Sequence, residues 1–278
     1  MCAHQQQEDN SSNSHNILGS SLGIPLCEES DSYRSIVSSL DWGWSDNARF
    51  QTYKDDPKRT EDVVNISKGC NCLRFTLFEC LADQTGDLKH PVYELYTLEA
   101  ELDLGATILL SFSGYYKQAG MQIRSFLELA FLSIYYADHR EQYEKWKLGQ
   151  GRSPPFHGKG ESNILSWIFA HTSLQNYPDL KVEVSKVYTE LNRFVHTSAI
   201  DNLALWEGRD NVPRFLPRTF RLWCDYLKRT YELTSVSLLL VYFDRIRGYL
   251  RRDKSGMWRD IVASLGENTL RRYGICSP

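Results

Sequence analysis

Arg124 and Glu128 stand four residues apart within 120–137, a stretch that is apolar almost all round a helical wheel from Phe126 onward. That spacing puts both on one helix face, with Phe131 and Tyr135 continuing the stripe. Charged side chains are seldom buried alone, so the two are expected to hold each other or a third polar group. Such a pair can fix a unique packing, orient a histidine or contact an anion, and the architectural role is the one the sequence favours. A second constellation lies on 178–196. Leu191 marks the middle of its apolar stripe, with Thr189, Asn192 and His196 roughly 100–160° away and Arg193 just beyond. These four make one polar face at a helix C-terminus, where the negative end of the dipole suits a protonated imidazole. If that face is a site, Arg193 and His196 are the residues able to act on a substrate.

Other chemistries find no support. Cys70 and Cys72, with Cys80 nearby, invite a metal reading. On a helix, positions i and i+2 point about 200° apart, so the two thiolates cannot share one tetrahedral ion. No further His or Cys pair completes a set, and neither metal nor cofactor is expected. Gly158-Lys-Gly-Glu-Ser lacks both the Gly-Lys-Ser/Thr ending and the preceding strand of a phosphate loop. No Gly-x-Ser-x-Gly elbow presents a nucleophile.

The elements that must position these residues can be read from composition and periodicity. A chain of 278 residues with 42% hydrophobic content has ample material for a core. Net charge is only −3, yet it is uneven: from Trp206 onward there are 14 Lys and Arg against 8 Asp and Glu, and elsewhere 18 against 27. A basic end on an acidic body can attract phosphates or an acidic partner, although a solvated face is the plainer reading. Arg245, Arg247, Arg251 and Arg252 are expected to supply any affinity for nucleic acid. Seven scattered cysteines fit a reducing compartment. The opening residues lack a basic stretch followed by an apolar core, so no signal peptide is expected, and the apolar run 233–243 falls short of the roughly 18–20 residues a bilayer requires. A soluble cytoplasmic protein without membrane association is expected.

Residues 1–28, rich in Gln, Asn and Ser, read as a disordered tail, and 29–278 as a single all-α domain. A short helix is expected over 33–40, and 41–58 reads as an irregular connection carrying a Trp-Gly-Trp. Val63, Ile66, Cys70, Leu73, Leu77 and Leu81 mark an amphipathic helix over 60–81. His90-Pro91 opens another, with Leu95, Leu98, Leu102 and Ile108 on its stripe, as far as a turn at Gly114. After the central helix, Asp138 and Glu141 suggest a capping box for a short helix ending at Gly149. A loop over 149–160 follows, then a helix capped by Ser162, then the helix over 178–196. An irregular stretch over 202–217 leads into a long basic helix over 218–252, and a short helix over 257–265 closes the chain. The pattern is an antiparallel helical bundle.

Ile123-Arg-Ser-Phe-Leu-Glu-Leu in one helix and Tyr188-Thr-Glu-Leu-Asn-Arg-Phe-Val-His-Thr at the end of another resemble the HEPN-like helical domains. The likeness is closest to bacterial members with an Arg-x-x-x-Glu helix and a helix-terminal His. It covers an HEPN-like core over about 92–198, with the flanking helices as additions. Many members of that superfamily are ribonucleases of toxin or phage-defence systems that act without metal, often across a dimer. The resemblance would make His196 the acid/base group and Arg193 the phosphate contact. Only two residues separate them here, a closer spacing than the family's nuclease motif. The preferred reading is therefore a non-catalytic module that binds a protein partner or nucleic acid. A metal-independent ribonuclease, with RNA as substrate and a homodimer as its assembly, is the alternative. The sequence leaves open whether the protein is an enzyme.

Overall fold

Apolar residues three and four apart become helices along the chain in the computed structural model, which describes residues 43–85, 90–158, 163–195, 215–251 and 256–275. Among these residues there are ten α-helices, one π-helix, one 3₁₀ turn and no strand. The fold is all-α, as expected. The described residues all fall within one unit, Asp41–Pro278. The tail and the short helix expected before it lie outside them.

The segment read as an irregular connection is helical. Helix α1 (Gly43–Asp55) is followed almost at once by α2 (Pro57–Thr85). Pro57 takes the first helical position, where its missing N–H is not needed. Asp56 Oδ1 accepts the Arg59 N–H at 3.3 Å and caps the turn. Asp-Asp-Pro is thus a joint between helices rather than a loop. Along α2 every stripe residue, from Val63 through Cys70 to Leu81, is buried.

The stripe expected over 91–114 shifts for a physical reason. Val92–Ala100 is a π-helix, continued by α3 (Glu101–Phe112). Its turns hold more than 3.6 residues, so side chains rotate relative to an α-helix. Val92, Tyr96, Ala100 and Leu104 become the buried row. Leu98 and Leu102, which an α-helix would align with Leu95, turn out to 42% and 67% exposure. Gly114, at φ 83°, makes the turn that follows.

Helix α4 (Tyr116–Asp138) is the centre. It packs against the π-helix, α3, α5 (Arg140–Lys147), α6 (Ile164–His171), α7 (Pro178–Val195) and α8 (Pro217–Leu250). Twelve of its residues are buried, which is why its sequence is apolar nearly all round. At its end, His139 rather than Asp138 flanks the start of α5. Helix α6 is capped one residue later than expected: Asn163 Oδ1 accepts the Ser166 N–H at 2.9 Å. The chain then makes a 3₁₀ turn (Ser173–Asn176) before α7. Helix α9 (Met257–Leu265) packs on α2, and a further helix, α10 (Glu267–Arg272), follows it. No helix among the described residues is long and apolar enough to cross a membrane.

Candidate functional site

Arg124 and Glu128 do meet, and they meet α7. Glu128 Oε1 accepts from Arg124 Nη2 at 2.8 Å and Nε at 3.2 Å. Tyr188 on α7 closes a triangle: its hydroxyl accepts from Arg124 Nη2 at 3.0 Å and donates to the same Glu128 oxygen at 3.0 Å. The guanidinium carbon also lies 5.2 Å from the centre of the Tyr188 ring. Burial works against the charged Arg124, but Glu128 and Tyr188 more than offset it and its pKa is raised. The Tyr188 phenol is pushed up, first by burial and then by the Glu128 charge, so it stays a neutral hydroxyl. The pair is not sealed, however. Arg124 retains 22% and Glu128 29% side-chain exposure, which puts the triangle at the rim of the core.

Tyr188 belongs to the apolar side of α7. Its ring does pack there, 4.5 Å from Phe156. Leu180, Val184, Val187 and Leu191 are fully enclosed beside it. The polar face falls on the other side. Thr189 and Arg193 are exposed and Asn192 is half-buried. Thr189 Oγ1 donates to Ser185 O at 2.8 Å, a bond within its own helix. Arg193 forms no ion pair among the described residues. His196 lies outside them. Arg124 therefore reaches α7 at Tyr188, more than a turn before Arg193.

Of the basic C-terminal group, Arg245, Arg247 and Arg251 are exposed along the end of α8, and Arg252 lies outside the described residues. None of the three forms an ion pair among the described residues. Cys70 and Cys72 face different neighbours: Cys70 Sγ lies 3.7 Å from Tyr96 Oη, and Cys72 Sγ lies 3.8 Å from Asp260 Oδ2. Among the described residues no group of three His, Cys, Asp or Glu could hold a metal ion.

Two further arrangements went unmarked in the sequence. The first is a ladder of rings. His139 stacks on Tyr135, centroids 4.0 Å apart, and its Nδ1 lies 2.9 Å from Tyr135 O. His171 repeats this on Trp167, at 4.8 Å and 2.9 Å. Trp167 joins the two, 4.4 Å from His139 and edge-on. An aromatic residue with a histidine four positions on, at a helix end, is a signal readable in both segments. The second is a small cleft of about 80 Å³, open to solvent and lined by Glu183, Arg229, Glu232, Arg272 and Tyr273. Its arginines are already engaged: Arg272 donates to Glu183 at 2.7 Å and Arg229 to Glu190 at 2.9 Å. Burial raises the Glu232 pKa, with Lys228 opposing it.

No protein-family model, curated protein or solved structure matches this chain.

Proposed function

We propose that this chain is a non-catalytic helical module that binds nucleic acid along the C-terminal turns of α8. The observation that carries this reading is the set of exposed arginines, Arg245, Arg247 and Arg251, which no carboxylate among the described residues neutralises. Guanidinium groups so placed can meet successive phosphates and release their counterions. The closed Arg124–Glu128–Tyr188 triangle supports a non-catalytic reading, because these groups hydrogen-bond one another and fasten α4 to α7. In this proposal the core over about 92–198 is HEPN-like with antiparallel helices, and the protein works in the cytoplasm.

The test is binding of a fluorescent single-stranded oligonucleotide at increasing NaCl. Affinity is expected to fall steeply with salt, by about 0.7 log units per log unit of salt for each phosphate contacted. Reversing Arg245, Arg247 and Arg251 to Glu should remove about two units of that slope. Binding that ignores both salt and charge reversal would overturn the proposal and return the module to a protein partner.

One observation favours the ribonuclease as a second reading: Arg193 stands exposed without an ion pair at the end of α7, as a phosphate contact should. Incubation with total RNA, beside His196→Ala, decides between the two. Cleavage lost in the variant at unchanged melting temperature would establish general acid–base catalysis by His196. An inert wild type removes that reading.

A further inference from the structure

The ladder of rings ends in the open. Tyr135 is buried, His139 and Trp167 are half-buried, and His171 is exposed. A carbonyl oxygen only accepts, so each imidazole donates from Nδ1 to the carbonyl four residues back, and Nε2 is its second nitrogen. That bond and the stack beneath it hold the His171 ring in one orientation. Its plane lies within 11° of the indole of Trp167, and no second ring covers it among the described residues. The indole is fixed in turn by the edge contacts of Tyr135, at 5.3 Å, and His139. A flat, anchored ring with an uncovered face is what a nucleobase stacks on, because every base presents a π-face regardless of sequence.

The arginines of α8 lie on the helix to which this end of α6 is tied. Ser173, two residues after His171, donates its hydroxyl to Leu240 O at 2.9 Å and ties this end of α6 to α8. From Leu240 the same helix face continues through Asp244, Arg247 and Arg251. At 1.5 Å per residue, Arg247 lies about 10 Å along the helix from that tie. On the neighbouring face, Arg245 and Arg140 both act electrostatically on Tyr242, as does the opposing charge of Asp138. Along this stretch of α8 the exposed cations Arg245, Arg247 and Arg251 outnumber the single acid, Asp244.

We infer that the outer face of His171 receives an unpaired base of single-stranded nucleic acid whose phosphates lie along the α8 arginines. The inference rests on the proposed binding function and adds what it lacks, a contact to the base. Stacking requires a base out of its duplex, so the preferred ligand is a single strand rather than a paired one.

The experiment measures fluorescence anisotropy of the full chain with twelve-nucleotide RNA and DNA single strands, each compared with an abasic version. In either sugar series the abasic strand is expected to bind about fivefold more weakly or worse. His171→Ala should erase that difference, and His171→Tyr, which keeps a flat ring, should retain it. The exposed position of His171 predicts an unchanged melting temperature in both variants. Equal binding of base-containing and abasic strands, or a His171→Ala protein that still prefers bases, overturns the inference. If affinity then still falls when Arg247 and Arg251 are reversed to Glu, phosphate binding survives and only the stacking is wrong. If neither strand binds at any salt concentration, both readings fall together.

Discussion

Glu128 gathers three hydrogen bonds on a single oxygen, two from Arg124 and one from Tyr188. Had the pair been sealed, losing one partner would cost about 3–5 kcal/mol. Its position at the rim lets water screen the charge left behind, and Glu128→Gln is expected to lower stability by only about 1 kcal/mol, read from the urea midpoint. Tyr188→Phe should cost a similar amount, about 1 kcal/mol for a lost hydroxyl bond. The double variant should fall short of the sum, because both changes open the same triangle. Glu232 gives a prediction about pH. Burial raises its pKa above the ordinary 4.5, so the folded state holds a proton that the unfolded chain has already released. Stability from this group is present below pH 4.5 and is lost as pH rises through the folded pKa. Glu232→Gln should therefore raise the melting temperature at neutral pH, and the gain should vanish below pH 4.5. A gain that grows on acidification would reverse the assignment.

Where two helices approach closely, the deciding residue is a glycine. A Cβ at position 120 would stand 2.5 Å from the Phe194 ring, between α4 and α7. At position 69 it would stand 1.9 Å from Ser264 Oγ, between α2 and α9. Ala gains about 1 kcal/mol over Gly inside a helix. Forcing atoms into a packed contact costs typically 1–3 kcal/mol. The clash is expected to win at both places, so that Gly120→Ala and Gly69→Ala unfold at lower denaturant than the parent. Gly105, exposed on α3, has no atom within 4 Å of a Cβ position. Gly105→Ala should instead stabilise by up to about 1 kcal/mol. Three variants that shift in one direction would show that helix propensity, not helix contact, governs these sites.

The buried apolar residues form one continuous core from Val63 to Ile275, with α4 running through it. Cooperative unfolding follows from such continuity. Two thiols report on it from different helices. Burial pushes both Cys70 on α2 and Cys224 on α8 up to about 12, leaving almost no thiolate at neutral pH. In native buffer neither should react with a thiol reagent at pH 8. Across a urea titration both should become reactive at the same midpoint, measured by peptide mass analysis of the alkylated protein. Exposure of Cys224 well before Cys70 would mean that α8 leaves the bundle as a separate step.

Periodicity carried several helices of this protein and their buried faces, though not α1 or the π-helix, because the angle between residues of one α-helix is fixed locally. The stripes of α2 and α7 and the apolar girdle of α4 are cases of it. The Arg124–Glu128 bond was legible for the same reason, since both partners belong to one helix. What the sequence could not carry was any quantity set between helices. Tyr188 enters the triangle only because α7 is rotated and seated so that one hydroxyl reaches past the apolar stripe. The rim position of the pair depends on how far the neighbouring helices cover it. The outward turn of Leu98 and Leu102 follows from a π-helix, a change of pitch that apolar spacing does not encode. The joining of the end of α6 to α8 includes one bond between Ser173 and Leu240, 67 residues apart. Spacing along a chain determines directions within an element; only packing determines which elements share a surface.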